Sequence, residues 1–206
     1  MIAIINYEMG NLGAVKNMLK KIKVKEEVLI TSNYKDILKA SKIILPGVGS
    51  FDEGMKNLLK LRLIDAIYTK VEEGSPILGI CLGMQILMEK SEEGKEKGLS
   101  LIEGEVVKFR FKEKDPNLKI PHMGWNIVKP TNYKTLFKNF EEKNIRFYFV
   151  HSYHVVCNDK AHILGWTNYE YDFASAISKN NIFGVQFHPE KSHKFGMKLF
   201  KNFVEL

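Results

Sequence analysis

The sequence predicts an α/β fold, a three-layer sandwich with a mainly parallel central sheet and an added antiparallel layer. In the first half, short continuous apolar runs alternate with segments whose apolar residues recur at helical spacing. This alternation is typical of a parallel sheet covered by helices on both faces. The second half is richer in strand-like segments separated by polar turns. With 206 residues, of which 45% are hydrophobic, the chain is expected to form one domain spanning residues 1–206.

The first half predicts four strands and four helices in alternation. Each predicted strand is short, apolar and rich in β-branched residues, as buried parallel strands are. The predicted strands are residues 2–6, 27–31, 42–45 and 77–80. The predicted helices are residues 12–22, 34–40, 58–73 and 82–89. Gly74-Ser75-Pro76 marks the end of the third helix.

The second half predicts a series of strands followed by one helix. The predicted strands are residues 104–111, 119–128, 146–150, 153–157, 163–167, 174–178 and 182–186. Polar turns between neighbouring strands favour antiparallel pairing. Residues 195–204 have the pattern of a closing helix.

The charge pattern is that of a solvated surface. The net charge is +7, but Lys supplies nearly all of it, because Arg62, Arg110 and Arg146 are the only arginines. Lysines lie along the whole chain and alternate with glutamates, whereas nucleic-acid sites favour clustered basic residues, often Arg. We therefore expect no nucleic-acid partner.

Neither secretion nor membrane insertion is indicated. The chain has two cysteines, Cys81 and Cys157, too few for a disulfide framework. Residues 1–10 lack a basic start and an unbroken apolar run, so they do not resemble a signal peptide. No stretch approaches about 18 apolar residues. A cytoplasmic protein is the default expectation.

Cys81 has the surroundings of a nucleophile. Gly79 and Gly83 flank it two residues away on each side, between a predicted strand and a predicted helix. A sharp strand-to-helix turn that presents a nucleophile is strained and needs small neighbours. The N-terminus of the following helix would favour a thiolate. The alternative is a buried structural cysteine, which is common for free cysteines.

His188 and Glu190 are candidates for the base and the group that orients it. Both follow the predicted strand 182–186, at the strand end where sites lie in open α/β sheets. Pro189 between them fixes the backbone, so that Glu190 could accept a hydrogen bond from the imidazole. The alternative is a surface turn. His151 and His154 are competitors for the base, but no carboxylate lies close to them in sequence.

A metal site is a weaker interpretation of the same residues. Zinc could combine Cys81 with His151, His154 or His188, but these residues do not show the ligand spacing of zinc fingers or zincins. No metal and no cofactor are expected.

Several segments together resemble one family. GICLGMQ at residues 79–85 and FHPE at residues 187–190 resemble the signatures of class I, triad-type glutamine amidotransferases. Four further segments are similar to the glutaminase subunit of imidazole glycerol phosphate synthase: NYEMGNL at 6–12, LPGVGSF at 45–51, PHMGWN at 121–126 and YFVHSY at 148–153. The resemblance covers the whole chain in order, and it implies a class I glutamine amidotransferase-like fold.

The resemblance implies a role for each matching residue. Cys81 would attack the glutamine carboxamide, His188 would act as base and then acid, and Glu190 would orient His188. The backbone N–H groups of Leu82 and Val48 would form the oxyanion hole. The remaining residues are expected to line the glutamine pocket: Gly47, Gly49, Gln85, His151, Ser152 and Tyr153. Gly47 and Gly49 would allow a peptide between them to flip.

The resemblance also implies a partner. Ammonia would pass through a channel to a separate (β/α)8-barrel synthase subunit that makes imidazole glycerol phosphate in histidine biosynthesis, forming a heterodimer. Met123, Trp125, Tyr148 and Lys191 match segments that face this partner; without the resemblance, Met123 and Trp125 are more often core. The alternative acceptor is a surface-sugar amidotransferase in a paralogous pair. Segments 11–14 and 109–119 depart from the pattern without indicating a lost function.

Three other classes remain as rivals. A cysteine hydrolase on a related fold would share the turn at Cys81 but does not generally use His-Pro-Glu after a late strand. An inert binding module would not need the complete triad. A nucleic-acid binder is motivated only by the charge.

Overall fold

The computed structural model describes residues 1–111, 118–141 and 143–206. Its α-helices are α1 (Leu12–Lys21), α2 (Tyr34–Lys39), α3 (Phe51–Lys60), α4 (Ile64–Glu72), α5 (Leu82–Ile86) and α6 (His193–Val204). Its strands are β1 (Ile2–Ile5), β2 (Val28–Thr31), β3 (Lys42–Gly47), β4 (Ile77–Cys81), β5 (Lys90–Ser91), β6 (Gly104–Lys108), β7 (His122–Ile127), β8 (Lys129–Pro130), β9 (Arg146–His151), β10 (Tyr153–Cys157), β11 (Ile163–Tyr169), β12 (Tyr171–Lys179) and β13 (Ile182–Val185).

The main sheet has a parallel half and a largely antiparallel half. Its strand order is β2-β1-β3-β4-β13-β12-β10-β6-β5, and β11 joins β12 to β8. The first five strands are mutually parallel, whereas β12 pairs antiparallel with β13, β10 and β11. A separate antiparallel ribbon is formed by β7 and β9. The predicted fold class, a mainly parallel sheet with added antiparallel strands, is confirmed.

Alternate residues of the parallel strands enter two different cores. In β1, Ile2 and Ile4 pack with Val15 and Leu19 of α1, while Ala3 and Ile5 face the core that α2 to α4 cover. Helix α6 lies on the same face as α1, since Leu199 and Phe203 belong to the core of Ile2 and Ile4. This two-sided burial explains why the parallel strands are continuously apolar. No helix within the described ranges is long and apolar enough to cross a membrane.

One predicted helix is wrong in its extent. Residues 58–73 were expected to form a single helix, but two helices, α3 and α4, occupy residues 51 to 72. The break falls at Arg62, whose φ of 56° is incompatible with a continuous helix. The apolar spacing continues across the break because Leu58, Leu63 and Ile67 face the same core. The helical periodicity of the apolar residues therefore gave no sign of the turn at Arg62. Asp52 and Glu53, in the first turn of α3, were the missed start signal.

Other predicted elements differ from the observed ones in length or number. The helix expected at residues 82–89 is a single turn, α5, so its dipole is smaller than a full helix would supply. Strands β5 and β8, each two residues long, were not predicted. Segments this short carry no periodic signal. The predicted strand ends at 109–111 and 119–121 extended beyond β6 and β7, and residues 112–117 of the departing segment 109–119 lie outside the described residues.

Candidate active site

The candidate catalytic residues follow neighbouring strands. Strands β4 and β13 run parallel and adjacent, with Ile80 opposite Val185. Cys81 is the last residue of β4, and His188 follows β13 by three residues. Both therefore lie at the carboxyl edge of the sheet, where sites of open α/β folds occur.

Cys81 occupies a strained turn. Its φ of 55° and ψ of −109° lie outside the regions that most residues adopt, and it links β4 directly to α5. A Cβ atom at Gly79 would lie 2.6 Å from the Gly83 carbonyl oxygen, and one at Gly83 would overlap the Leu45 carbonyl oxygen. The requirement for glycine on both sides of Cys81 is thus a steric fact of this fold, and Cys81 is only 7% exposed.

His188 is held by a carboxylate and by two backbone contacts. Its Nδ1 donates to Glu190 Oε1 at 2.7 Å. Its N–H donates to the Tyr148 carbonyl at 2.8 Å, and its own carbonyl accepts from Ser192 Oγ at 2.6 Å. Because Glu190 accepts the hydrogen bond from Nδ1–H, Nε2 is the nitrogen left free to act as a base. The expected pairing of His188 with Glu190 is present.

The charge of His188 is controlled by its two acidic neighbours. Burial acts against the charged ring, but the interactions with Cys81 and Glu190 outweigh it and raise the pKa of His188 to about 10. Nε2 has no hydrogen-bond partner among the described residues. Cys81 raises the pKa of the ring although Nε2 makes no closed hydrogen bond, and long catalytic hydrogen bonds are common in enzymes without substrate.

A cavity of about 280 Å³ opens onto the sulfur. Its lining residues are Val48, Gly49, Cys81, Leu82, Gln85, Glu93, Pro121, Val150, His151, Ser152 and Tyr153. Of the predicted pocket and oxyanion residues, Gly47 alone is not in this lining; it ends β3, directly opposite Cys81 in the sheet. Five stretches of the chain, at residues 48–49, 81–85, 93, 121 and 150–153, thus line one cavity with Cys81.

The predicted oxyanion segment lies at the mouth of this cavity. Val48 is 49% exposed and belongs to a connection in which Gly49 has a φ of +129°, a conformation that favours glycine. Behind it, a Cβ at Gly47 would collide with the Tyr7 hydroxyl and one at Gly49 with the Met9 methyl. Leu82, the other predicted donor, begins α5 beside the sulfur.

Two polar residues at the site were not predicted from the sequence. Glu93 is the only acidic side chain in the described lining, and its Oε2 accepts from the Phe51 N–H at 2.8 Å. It lies in a Lys/Glu-rich stretch that had the pattern of solvated surface. Gln186 is completely buried, and its amide donates to Cys81 Sγ at 3.6 Å. The signal that could have found it is its position two residues before His188, on the same side of an extended chain.

The competing histidines are engaged elsewhere. His151 Nδ1 donates to the Tyr153 carbonyl at 2.7 Å, and its Nε2 pairs with His122 Nδ1 at 2.9 Å. His154 Nε2 pairs with the Tyr171 hydroxyl at 3.1 Å. No group of three or more His, Cys, Asp or Glu suited to a metal ion occurs within residues 1–111, 118–141 and 143–206.

The predicted partner residues form one exposed patch. Met123 is 63% exposed and Trp125 is 45% exposed, both on β7, so they are surface and not core. The Trp125 ring lies 6.3 Å from that of Tyr148, and Lys191 Nζ lies 5.7 Å from the same tyrosine ring. This partner patch (Met123, Trp125, Tyr148 and Lys191) joins the active site through the hydrogen bond from the His188 N–H to the Tyr148 carbonyl.

Comparisons with known proteins identify the family of this chain. The family model for class-I glutamine amidotransferases matches residues 3–206. Imidazole glycerol phosphate synthase subunit HisH 2 of Methanococcus maripaludis is 57% identical, covering 100% of this chain and 99% of its own. HisH of Methanocaldococcus jannaschii is 49% identical and HisH 2 of Pseudomonas aeruginosa 47%, each with 100% of both chains covered.

Solved structures share the fold at lower identity. A crystal structure of a glutamine amidotransferase has a TM-score of 0.72 at 17% identity, covering 100% of this chain and 98% of that one. The structure of PurLQS from Thermotoga maritima also has a TM-score of 0.72, at 21% identity, covering 99% and 97%. The chain belongs to the class-I glutamine amidotransferase family, in the branch of the HisH subunits of imidazole glycerol phosphate synthase.

Proposed function

We propose that this chain hydrolyses glutamine to glutamate and ammonia with Cys81, His188 and Glu190, within one domain spanning residues 1–206, and passes the ammonia to a separate synthase subunit. The observation that carries the proposal is the strained turn at Cys81 beside the buried pair of His188 and Glu190, joined at 2.7 Å. A thiol, a base and a carboxylate in this order are the parts of a nucleophilic triad.

In each half-reaction His188 acts first as a base and then as an acid. His188 Nε2 takes the Cys81 proton, and the sulfur attacks the carboxamide carbon of glutamine. Collapse of the tetrahedral adduct breaks the C–N bond, and His188 returns the proton to the leaving ammonia. A water molecule, deprotonated by His188, then attacks the glutamyl thioester, releasing glutamate and restoring the thiol. Glu190 accepts the hydrogen bond from His188 Nδ1–H throughout and stabilises the imidazolium.

The cavity has groups for each end of glutamine. The N–H groups of Leu82 and Val48 would stabilise the oxyanion, since the two residues line the cavity beside the sulfur. Glu93, the acidic side chain of the described lining, suits the α-ammonium group. Gln85, His151, Ser152 and Tyr153 would position the rest of the substrate, with Gly47 and Gly49 shaping the loop that carries Val48.

The acceptor is proposed to be a (β/α)8-barrel subunit docked on the partner patch. An exposed patch of methionine, tryptophan and tyrosine is typical of an interface core. The relatives at 47–57% identity are named as subunits of imidazole glycerol phosphate synthase, which favours histidine biosynthesis over a surface-sugar pathway. The Tyr148 carbonyl accepts a hydrogen bond from the His188 N–H. Docking of the barrel on Tyr148 would therefore directly affect the position of the catalytic histidine.

The first experiment tests the nucleophile. We expect glutamate release by the complex with the synthase subunit to fall by about 10⁴-fold or more in Cys81→Ala. The matched control is Cys157→Ala, which removes the other buried thiol and should keep the activity. Retained glutaminase activity in Cys81→Ala would contradict the proposal.

The second experiment tests the partner. The isolated chain should hydrolyse glutamine slowly, and adding the synthase subunit with its ligand should raise the rate strongly. Trp125→Ala should weaken complex formation by about 10-fold or more, measured by titration calorimetry. Leu59→Ala removes a comparably exposed apolar side chain on α3, 66% exposed, and should leave binding unchanged. A chain that is fully active alone would overturn the partner role.

A further inference from the structure

Gln186 lies against the nucleophile without lining the substrate cavity. Its side chain is completely buried, and its Nε2 lies 3.6 Å from Cys81 Sγ. The cavity that opens onto Cys81 does not include Gln186. The amide therefore reaches the sulfur from the protein side and leaves the cavity side open to an incoming carboxamide.

The direction of this contact is determined by a chain of hydrogen bonds. The Tyr153 carbonyl can only accept, so the Gln85 atom 3.2 Å from it must be the amide nitrogen. The same nitrogen lies 3.0 Å from the other end of the Gln186 amide, which must then be its oxygen. With its oxygen committed to Gln85, Gln186 presents its nitrogen to Cys81 Sγ. The donor assignment thus rests on a backbone carbonyl and not on a choice between two amide orientations.

The backbone places Gln186 and His188 on the same sulfur. Gln186 follows β13 directly, and its N–H donates to the Ser175 carbonyl at 2.9 Å, which anchors the strand end. Residues two apart on an extended chain point to the same side. The intervening Phe187 points the other way and stacks on Phe147 at 3.9 Å between ring centroids.

We propose that Gln186 is a catalytic hydrogen-bond donor that stabilises the Cys81 thiolate, with Gln85 fixing its orientation. A donor to sulfur binds the anion more strongly than the neutral thiol, so it favours the reactive form. Unlike His188, a carboxamide cannot take the proton, so its N–H remains a hydrogen-bond donor at every step. Once the thioester forms, the sulfur loses its charge and the contact weakens. This role rests on the proposed function of Cys81 as nucleophile.

The test is the pH dependence of Cys81 alkylation by iodoacetamide, followed by peptide mass spectrometry without glutamine. In Gln186→Met, which keeps the side-chain length but has no donor, the pH of half-maximal alkylation should rise by about one unit, equal to about a tenfold lower rate on the acid side. Gln85→Met keeps the donor but frees its orientation, so the shift should be smaller. Cys157 is an internal control, because burial raises its pKa to about 11 independently of Gln186.

An alkylation profile of Gln186→Met that coincides with wild type, at equal thermal stability, would overturn the proposal. If Gln186→Met does not fold, the wild-type protein supplies the measurement. The side-chain amide resonances of Gln186 are observed by NMR on ¹⁵N-glutamine-labelled protein, and their chemical shifts should change with pH as Cys81 ionises. Chemical shifts that do not change when Cys81 ionises would contradict the contact. Cys81→Ala tests the glutaminase role separately, so the two proposals can fail independently.

Discussion

Two buried histidine sites in this protein hold their rings in opposite charge states. His188 is 1% exposed and His122 is 3% exposed, so burial does not distinguish them. Yet the pKa of His188 is raised to about 10, while burial lowers the pKa of His122 to about 4. The pKa of His151, next to His122, is likewise lowered well below its usual range by burial. The difference must come from the partners of each ring.

His122 and His151 have only neutral hydrogen-bond partners. The Tyr153 carbonyl accepts a hydrogen bond from His151 Nδ1–H, so His151 Nε2 accepts from His122 Nδ1. His122 Nε2 then accepts from the Asn126 side chain at 3.1 Å. Both rings are satisfied as neutral imidazoles. Aromatic rings surround them, with Tyr169 stacked on His122 at 4.1 Å. A proton added to either ring would break this chain in an apolar setting.

His188, in contrast, has two acidic neighbours. Nδ1 donates to Glu190, and Cys81 and Glu190 together raise the pKa of the ring despite its burial. Opposite charges nearby favour the charged ring by more than burial disfavours it. The hydrogen-bond partners of the ring therefore decide which histidine can act as an acid at neutral pH. Residue type and depth of burial do not, since both are the same at the two sites.

The largest effect should come from removing the carboxylate that makes His188 different. In Glu190→Gln the ring keeps a hydrogen-bond acceptor but loses the charge, so His188 becomes similar to His122. We expect kcat for glutamine hydrolysis by the complex to fall by about 10³–10⁴-fold. Glu205→Gln, at the exposed end of α6, should have no effect. A loss below tenfold would show that Cys81 alone keeps the ring charged.

A medium effect should follow from giving the neutral site a carboxylate. Asn126→Asp places a charge next to His122 Nε2, and the pKa of His122 should rise from about 4 by about 1–3 units. Histidine NMR resonances followed over pH measure this directly. Asn126→Ala also loses the bond to the Asn168 carbonyl but adds no charge, so it should leave the titration low. An unchanged titration in Asn126→Asp would mean that apolar burial dominates over the partner.

The smallest effect is an opposite pH dependence of stability at the two sites. The lowered pKa of His122 means that its contribution is present above about pH 6.5 and lost as the pH falls toward 4. The raised pKa of His188 means that its contribution is present below about pH 6.5 and lost as the pH rises toward 10.

Urea unfolding at several pH values separates the two. Relative to wild type, His122→Asn should flatten the loss of stability between pH 6.5 and 5 by about 1 kcal/mol. His188→Gln should flatten the loss above pH 7 instead. Parallel curves for both variants would contradict the assigned charge states.

Local features made the turn at Cys81 and the pairing of His188 with Glu190 predictable. Gly79 and Gly83 flank Cys81 at fixed offsets, and the steric demand that they meet is a property of one turn. Pro189 holds His188 and Glu190 two residues apart, so their hydrogen bond needs almost no information from elsewhere in the chain. The break at Arg62 was not predictable in the same way, because the apolar spacing of Leu58 and Leu63 is that of an uninterrupted helix.

The contacts that Gln186 and Gln85 make with distant segments were not predicted from the sequence. Gln186 and Cys81 are 105 positions apart, and Gln85 and Tyr153 are 68 apart. Its position two residues before His188 places Gln186 on the same side of the chain, but does not identify the sulfur that its amide meets. Glu93 likewise had the composition of surface until the fold placed it beside residues 150–153.

Residues a few positions apart were enough to predict the alternation of strands and helices, the strained turn at Cys81 and the pairing of His188 with Glu190. Which histidine is charged, which amide faces the thiol and which carboxylate lines the cavity depend instead on how distant segments pack. These are electrostatic properties, and electrostatic energy depends on distances in space that the sheet order sets.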